Sequence, residues 1–422
     1  MKTSTARKIA QLPSEHLLIG VDVHKSHHVA VVMDRAGKVV ARAKVPNNKE
    51  GFDKLLALGS QQALRVGAVG VTFGIEAGSH FWVTLAHYLH EREVGFWLVS
   101  PFTLKRRREG DDLTRRKNDY RDAEMAAELV RTGHYTETKL LQGEWAELRY
   151  THSTYQRLVK DRTIHLNLLR SRLDLLFGEF CRVFRDPCGQ TAQAVLRSGA
   201  IPSLIASSSI EEFVALVREH FGGTRLHLQK LRELHRQAGE SVGVKEGARA
   251  LAQQVRQLVE QLCLYDQQIA EVKQQLRELL YRLPEAQYLL SIKGLGEQVV
   301  AGLLAETGPF ERYEHARNLI KLAGTDPIQT QSGNKERRHT PMSKKGRTGL
   351  RCVGWRAAMR LLRDNEDFRV WAERMRTRVG HPLRRGEILG AAINRLFKLM
   401  FALVRDRRHY EVRAKEAVAV AA

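Results

Sequence analysis

The sequence predicts an α/β N-terminal domain with a mixed sheet, a helical coiled-coil middle and an α-rich C-terminal region. Three observations carry this. The β-type runs lie before Trp145, a four-three apolar repeat runs from Leu251 to Leu283, and glycine-punctuated helical segments follow Pro284.

From Leu17 the chain reads Leu-Leu-Ile-Gly-Val-Asp-Val-His-Lys, and from Val29 a second β-rich run contains the turn Asp34-Arg35-Ala36-Gly37. The domain therefore opens with a hairpin, which points to a mixed sheet rather than a purely parallel one. An amphipathic helix from Lys49 to Leu64, a strand from Val69 to Ile75, a helix from about His80 to Glu91 and a strand from Val94 to Val99 complete a pattern of about five strands. A long helical stretch then runs from Trp145 to Phe180, followed by a turn-rich segment. Leu251, Val255, Leu258, Leu262, Tyr265, Ile269, Val272, Leu276, Leu279 and Leu283 form a heptad seam. Its partner is either the Trp145–Phe180 helix in an antiparallel hairpin or another chain, and both can hold together. Pro284 ends the seam. A compact helical region reaches Trp371, and an amphipathic helix from Ile388 to Val404 precedes a basic tail. The expected segments are 14–144, 145–283, 284–375 and 376–422.

Among the 422 residues, 69 Lys and Arg oppose 47 Asp and Glu, a net charge of +22. Such a chain seeks a polyanion, nucleic acid before others. Cys181, Cys188, Cys263 and Cys352 form no C-x-x-C pair, which excludes a zinc cluster or disulfide framework and fits a reducing cytoplasm. The basic start is broken by Pro13, Ser14, Glu15 and His16 and does not read as a signal peptide. The greasiest stretch, Leu396 to Val404, is interrupted by Lys398, so no membrane partner is expected.

Asp22 sits inside an apolar strand, where a carboxylate is costly unless paired or bound to a cation. Glu76 closes a comparable strand, and Asp119 and Asp122 stand three apart at a helix start, on one side of it. Taken singly these are an N-cap, first-turn dipole partners and a strand-end acid. Together they fit a two-metal site, in which carboxylates hold two divalent ions about 3.5–4 Å apart across a scissile phosphodiester. Lys105, Arg106, Arg107 and Arg108, with Arg115, Arg116 and Lys117, precede the last two acids and can seat a phosphate backbone, or form a solvated loop.

Gly294 and Gly296 in Lys293-Gly-Leu-Gly permit a tight turn before a helix, with free N–H groups for a phosphate as in helix-hairpin-helix DNA binders; a plain inter-helix turn reads the same way. Downstream, Ser332 precedes a glycine in a polar loop with Lys335, Arg337, Arg338 and His339. It is either a turn serine or a hydroxyl presented to a phosphate among cations. Ser343 is expected to cap a basic helix carrying Lys344, Lys345, Arg347 and Arg351.

Taken in order, Gly20-Val-Asp-Val-His-Lys, Gly74-Ile-Glu-Ala, Lys117-Asn-Asp-Tyr-Arg-Asp-Ala, Lys293-Gly-Leu-Gly, Leu322-Ala-Gly, Gln331-Ser-Gly and Ser343-Lys-Lys-Gly resemble the insertion-sequence transposases of the IS110 family, with its IS1111 branch. The resemblance spans most of the chain. It implies a RuvC-like domain of RNase H fold whose D-E-D-D metal site maps onto Asp22, Glu76, Asp119 and Asp122, holding two Mg2+ ions with Mn2+ as a substitute. It implies a C-terminal domain whose nucleophilic serine is Ser332. It further implies recombination guided by a structured non-coding bridge RNA that pairs with donor and target DNA. Protomers joined by a coiled coil would form a dimer or dimer of dimers, with the serine of one subunit serving the acids of another. Gly324-Thr-Asp-Pro departs from the apolar-Ala pair common before that proline, which bears on the loop around Ser332.

Three competing classes remain. A RuvC-like hydrolytic nuclease would use the same acids with water as nucleophile. An actin-like ATPase could open with Ile19-Gly-Val-Asp-Val, but a second glycine-rich phosphate hairpin and an adenosine loop are not found. A noncatalytic RNA-binding scaffold explains the charge and leaves the four acids without a purpose.

Overall fold

The structure is a computed structural model that describes residues 4–111, 118–136, 140–199, 201–328, 331–332, 335–336 and 341–412, with Asp111 and residues 331–332 and 335–336 as backbone alone. The chain forms two units, Met1–Leu140 and Leu141–Ala422.

The first unit is built on five strands: β1 (His16–Val23), β2 (His27–Met33), β3 (Val39–Pro46), β4 (Gly70–Glu76) and β5 (Phe96–Val99), in the order β3-β2-β1-β4-β5. β2 runs antiparallel to both β1 and β3, whereas β4 runs parallel to β1 and β5. The sheet is therefore mixed, as the hairpin-first order predicts. The expected turn at Asp34–Gly37 joins β2 to β3, and a second tight turn at His24–His27, closed by the His24 N–H on the His27 carbonyl at 3.1 Å, joins β1 to β2.

The period-two alternation of β1 sorts its residues onto two faces. Leu17, Ile19 and Val21 pack with Phe73 and Ile75 under the helices Lys49–Val66 and Trp82–Glu91. Leu18, Gly20 and Asp22 point to the opposite face, which the helix Asp119–Arg131 covers. That helix approaches unusually closely, because Gly20 and Gly74, direct neighbours in the β1–β4 register, offer no side chain to Ala123, Ala126 and Ala127.

In the second unit, the 34-residue helix Gly143–Leu176 and the 35-residue helix Ala248–Arg282 form an antiparallel hairpin. Partner numbers rise along one as they fall along the other: Arg162 Nε meets Asp266 Oδ1 at 2.5 Å and Arg172 Nε meets Gln254 Oε1 at 3.1 Å. Val255, Leu258, Leu262, Ile269 and Leu276 of the heptad seam are buried, so the intrachain partner is realised. One core gathers the short helices of 180–239 on the hairpin through Phe180, Phe213 and Leu231. Another joins the hairpin to the helices Glu297–Thr307, Thr348–Asp364 and Arg385–Arg405 through Leu280, Leu304, Leu350, Ile393 and Phe397. Phe397→Ala is expected to lower unfolding stability by about 3–5 kcal/mol. The exposed pair of Arg162 is worth little by comparison, and Arg162→Ala should stay within about 1 kcal/mol. Denaturant midpoints of both variants check this contrast.

The expected basic helix does not begin at Ser343. It begins at Thr348, with Arg347 as its N-cap. Residues 343–347 instead lie along residues 322–326: the N–H groups of Ser343, Lys344 and Arg347 donate to the carbonyls of Asp326, Gly324 and Leu322 at 2.9, 2.9 and 2.7 Å. The Ser343 hydroxyl donates to Asp326 Oδ1 at 2.9 Å. A side chain at Gly346 would meet Gly324 N at 2.4 Å, so glycine lets the two backbones touch, and this pairing competes successfully with helix extension.

Candidate active site

Each glycine that admits the covering helix stands two residues before an acid, and period two places that acid on the same face. Continuing the register beyond Val21–Ile75 sets Asp22 beside Glu76, with backbones about 4.8 Å apart. Both lie at the carboxyl ends of adjacent parallel strands, where open α/β sheets hold their ligands. The covering helix starts there too. Asn118, not Asp119, is its N-cap, accepting from the Tyr120 N–H at 3.0 Å. Asp119 and Asp122 occupy the first turn, where the helix dipole favours negative charge.

Asp22 and Asp122 are nearly buried, at 6% and 2% exposure, while Asp119 opens to solvent. Two side chains face these acids. His24 Nε2 lies 3.2 Å from Asp22 Oδ2 and 3.5 Å from Asp119 Oδ2, and so joins the strand acid to the helix acid. Arg108, from the helix Pro101–Asp111, places Nη2 2.7 Å from Asp122 Oδ1. His27 lies 4.9 Å from His24, ring centre to ring centre. Carboxylates gathered on one sheet face, with an imidazole and a guanidinium beside them, fit a divalent-cation site, since hard oxygen donors are what such ions take.

Sequence reasoning missed His24 and His27. The signal was present, because His24 stands two residues after Asp22, just past the end of the strand, where period two keeps it on the face of Asp22. Of the basic run, Arg108 is committed to Asp122, Lys105 meets Glu109 at 3.8 Å and Arg106 lies over the Phe102 ring. This segment is helical rather than a loop, and Arg107 belongs to the same helix. Arg115, Arg116 and Lys117 lie outside the described residues.

In the second unit, Gln331–Ser332 pairs antiparallel with Lys335–Glu336, with Ser332 opposite Lys335. Arg337 and Arg338 lie outside the described residues. The base of this hairpin is held by the Ile328 N–H on the Pro341 carbonyl, by Ser343 on Asp326, and by Thr325, whose hydroxyl donates to Asn394 Oδ1 at 2.6 Å. Lys344, in the left-handed region at φ 52°, and Lys345 lie on this base. Arg347 Nη1 donates to the Glu306 carbonyl at 2.6 Å and Arg351 Nη1 to the Ala323 carbonyl at 2.8 Å, so both help brace the fold. Gly294 has φ +101°, which an L side chain resists, and Gly296 is the N-cap of the helix Glu297–Thr307.

His152 lies buried behind this region, 3.8 Å from Glu306, a carboxylate already taken by Arg149 at 3.3 Å. Burial, followed by the charges of Arg356 and Arg149, pushes the His152 imidazole down to about 4. An unfolded chain at pH 5 therefore takes up a proton that the folded unit refuses. Stability is full above about pH 6.5 and falls toward pH 4, by on the order of 3 kcal/mol. His152→Gln should flatten that slope in denaturant melts of the chain across the same range.

The first unit is thus a mixed α/β unit with carboxylates gathered at one sheet end, and the second is helical. Residues 19–178 match the family model for the DEDD transposase domain of IS110 elements, and residues 286–371 match that of the transposase IS116/IS110/IS902 family. The chain thus carries two regions that match transposase domains of the IS110 and IS116 kind. It is 27% identical over 331 residues to the protein named as the mini-circle transposase for IS117 of Streptomyces coelicolor, covering 75% of this chain and 77% of that one. It is 22% identical over 412 residues to a 44.8 kDa protein of insertion element IS116 of Streptomyces clavuligerus, covering 93% and 96%. Among the described residues, no helix is long and apolar enough to cross a membrane.

Proposed function

We propose that the protein is an RNA-guided DNA recombinase that excises and inserts an insertion sequence, with strand cleavage at Asp22, Glu76, Asp119 and Asp122 and strand exchange through Ser332. The observation that carries this reading is the convergence of Asp22 and Asp119 on His24, at 3.2 and 3.5 Å, beside the strand end that bears Glu76. The strand order β3-β2-β1-β4-β5, with acids on β1 and β4, supports an RNase H-like identity for the unit.

Divalent cations, Mg2+ in the cell with Mn2+ able to replace it, supply Lewis acidity toward the scissile phosphate when the four carboxylates hold them. The chain's own groups do the rest. Asp22 and Glu76 fix donor positions from rigid strands, and Asp119 and Asp122 add donors from the helix start. The Ser332 oxygen attacks phosphorus, the bond to one DNA oxygen breaks, and that strand leaves as a hydroxyl. The resulting phosphoserine ester conserves the bond energy. The hydroxyl of the exchanged strand then attacks phosphorus and releases serine, so no nucleotide cofactor is consumed. Basic surfaces hold guide RNA and DNA by their backbones, while base pairing reads donor and target sequence.

The test is a covalent protein–DNA adduct, resolved on a denaturing gel with a suicide substrate. Wild type should form it, and Ser332→Ala should lose it while still binding the guide RNA. A hydrolytic nuclease would cleave without any adduct in either protein. Loss of RNA binding in Ser332→Ala would count against a nucleophilic role.

A further inference from the structure

We propose that His24 and His27 supply imidazole nitrogens to a divalent ion held by Asp119 and Asp22, so that at equal concentration this site binds an ion with nitrogen affinity, of the cobalt or zinc type, more tightly than magnesium, which is the more available ion in the cell. The inference rests on the reading of Asp22 and Asp119 as cation ligands and extends it to donors of a different class.

The tight turn between β1 and β2 brings the two imidazoles together, and their rings are tilted by 31° rather than stacked. One donor atom from each of His24, His27 and Asp119 lies within 4.8 Å of the others. Donors on opposite sides of a single ion, at about 2.1 Å each, stand some 4.2 Å apart, so side-chain rotation alone closes this set on an ion. His24 Nε2 already faces both carboxylates, the place a bridging cation would take. The turn is pinned from outside: Asn47 Nδ2 donates to the carbonyls of His24 and Lys25 at 3.3 and 3.2 Å. Ser26 Oγ lies 3.0 Å from His27 Nδ1, an outer partner that orients the ring and leaves Nε2 for the ion.

Oxygen-only sites suit magnesium, calcium and manganese, whereas imidazole shifts affinity toward later first-row ions. A four-carboxylate site and a site with two added imidazoles thus differ in a measurable way. The full chain, without DNA, is titrated with Mg2+, Mn2+ and Co2+ by calorimetry, and the Co2+ sample is read by visible absorption. Wild type should bind Co2+ with d–d bands characteristic of nitrogen ligation. The double variant His24→Gln, His27→Gln should lose those bands and bind Co2+ at least about 10-fold more weakly, with Mg2+ and Mn2+ affinity changed far less. Thermal melts and the two single variants guard against a folding defect. Unchanged Co2+ bands and affinity in the double variant would overturn the imidazole assignment while leaving the carboxylate reading intact. If Asp22→Asn with Asp119→Asn also leaves binding of all three ions unchanged, both readings fall.

Discussion

Asp22→Asn is expected to reduce DNA strand cleavage by roughly 10³-fold or more, the loss of several kcal/mol of charge stabilisation at the transition state. The substitution keeps shape and removes charge. Asp22 is 6% exposed on a central strand, so the fold fixes where its oxygens sit. The folded unit should tolerate the change, because the amide is isosteric and can still hydrogen-bond the His24 ring nitrogen that lies 3.2 Å away. Cleavage of a labelled element end, with circular dichroism showing an intact fold, measures both halves of the expectation. Asp119→Asn should cause a similar loss, since it presents its carboxylate from the helix start to the same imidazole.

Gly20→Ala tests the scaffold that delivers those acids. A Cβ at Gly20 would lie 1.9 Å from the Ala123 carbonyl oxygen and 2.6 Å from the Ala127 nitrogen. Both are backbone atoms of the helix Asp119–Arg131, so no rotamer relieves the overlap and the whole helix must retreat from the sheet. A loss of about 3 kcal/mol in the first unit's stability is expected, at the upper end of overpacking costs. Cleavage should fall with it even under conditions where the unit stays folded, because Asp119 and Asp122 ride on the displaced helix. Gly95→Ala is the control: among the described residues its Cβ would find only Thr72 Oγ1, at 3.9 Å, and both stability and cleavage should stay near wild type.

Those glycines also explain why so much of the first unit was legible. Gly20-Val-Asp22 and Gly74-Ile-Glu76 each encode a close approach and an acid on one face, a pattern that period two makes readable without coordinates. Strand boundaries shifted only slightly, β5 beginning at Phe96 rather than Val94. What pattern reading missed were pairings between distant segments. Nothing near Arg108 says that its guanidinium turns onto Asp122 instead of toward a phosphate. Ser343 carries a good N-cap side chain, yet the contact of Gly346 on Gly324 holds that segment extended. The heptad seam announced burial without naming its partner, because an antiparallel intrachain helix and a second protomer ask the same residues to be apolar.

The account turns on the four carboxylates acting as one cation site. A crystal structure of the full chain grown or soaked with Mn2+, with anomalous scattering locating the metal, addresses that claim most directly. The account predicts ordered manganese within about 2.5 Å of carboxylate oxygens from Asp22 and Asp119, with Glu76 and Asp122 completing the shell. Manganese ordered elsewhere, with Asp22 still facing His24 and Asp122 still closed on Arg108, would contradict it.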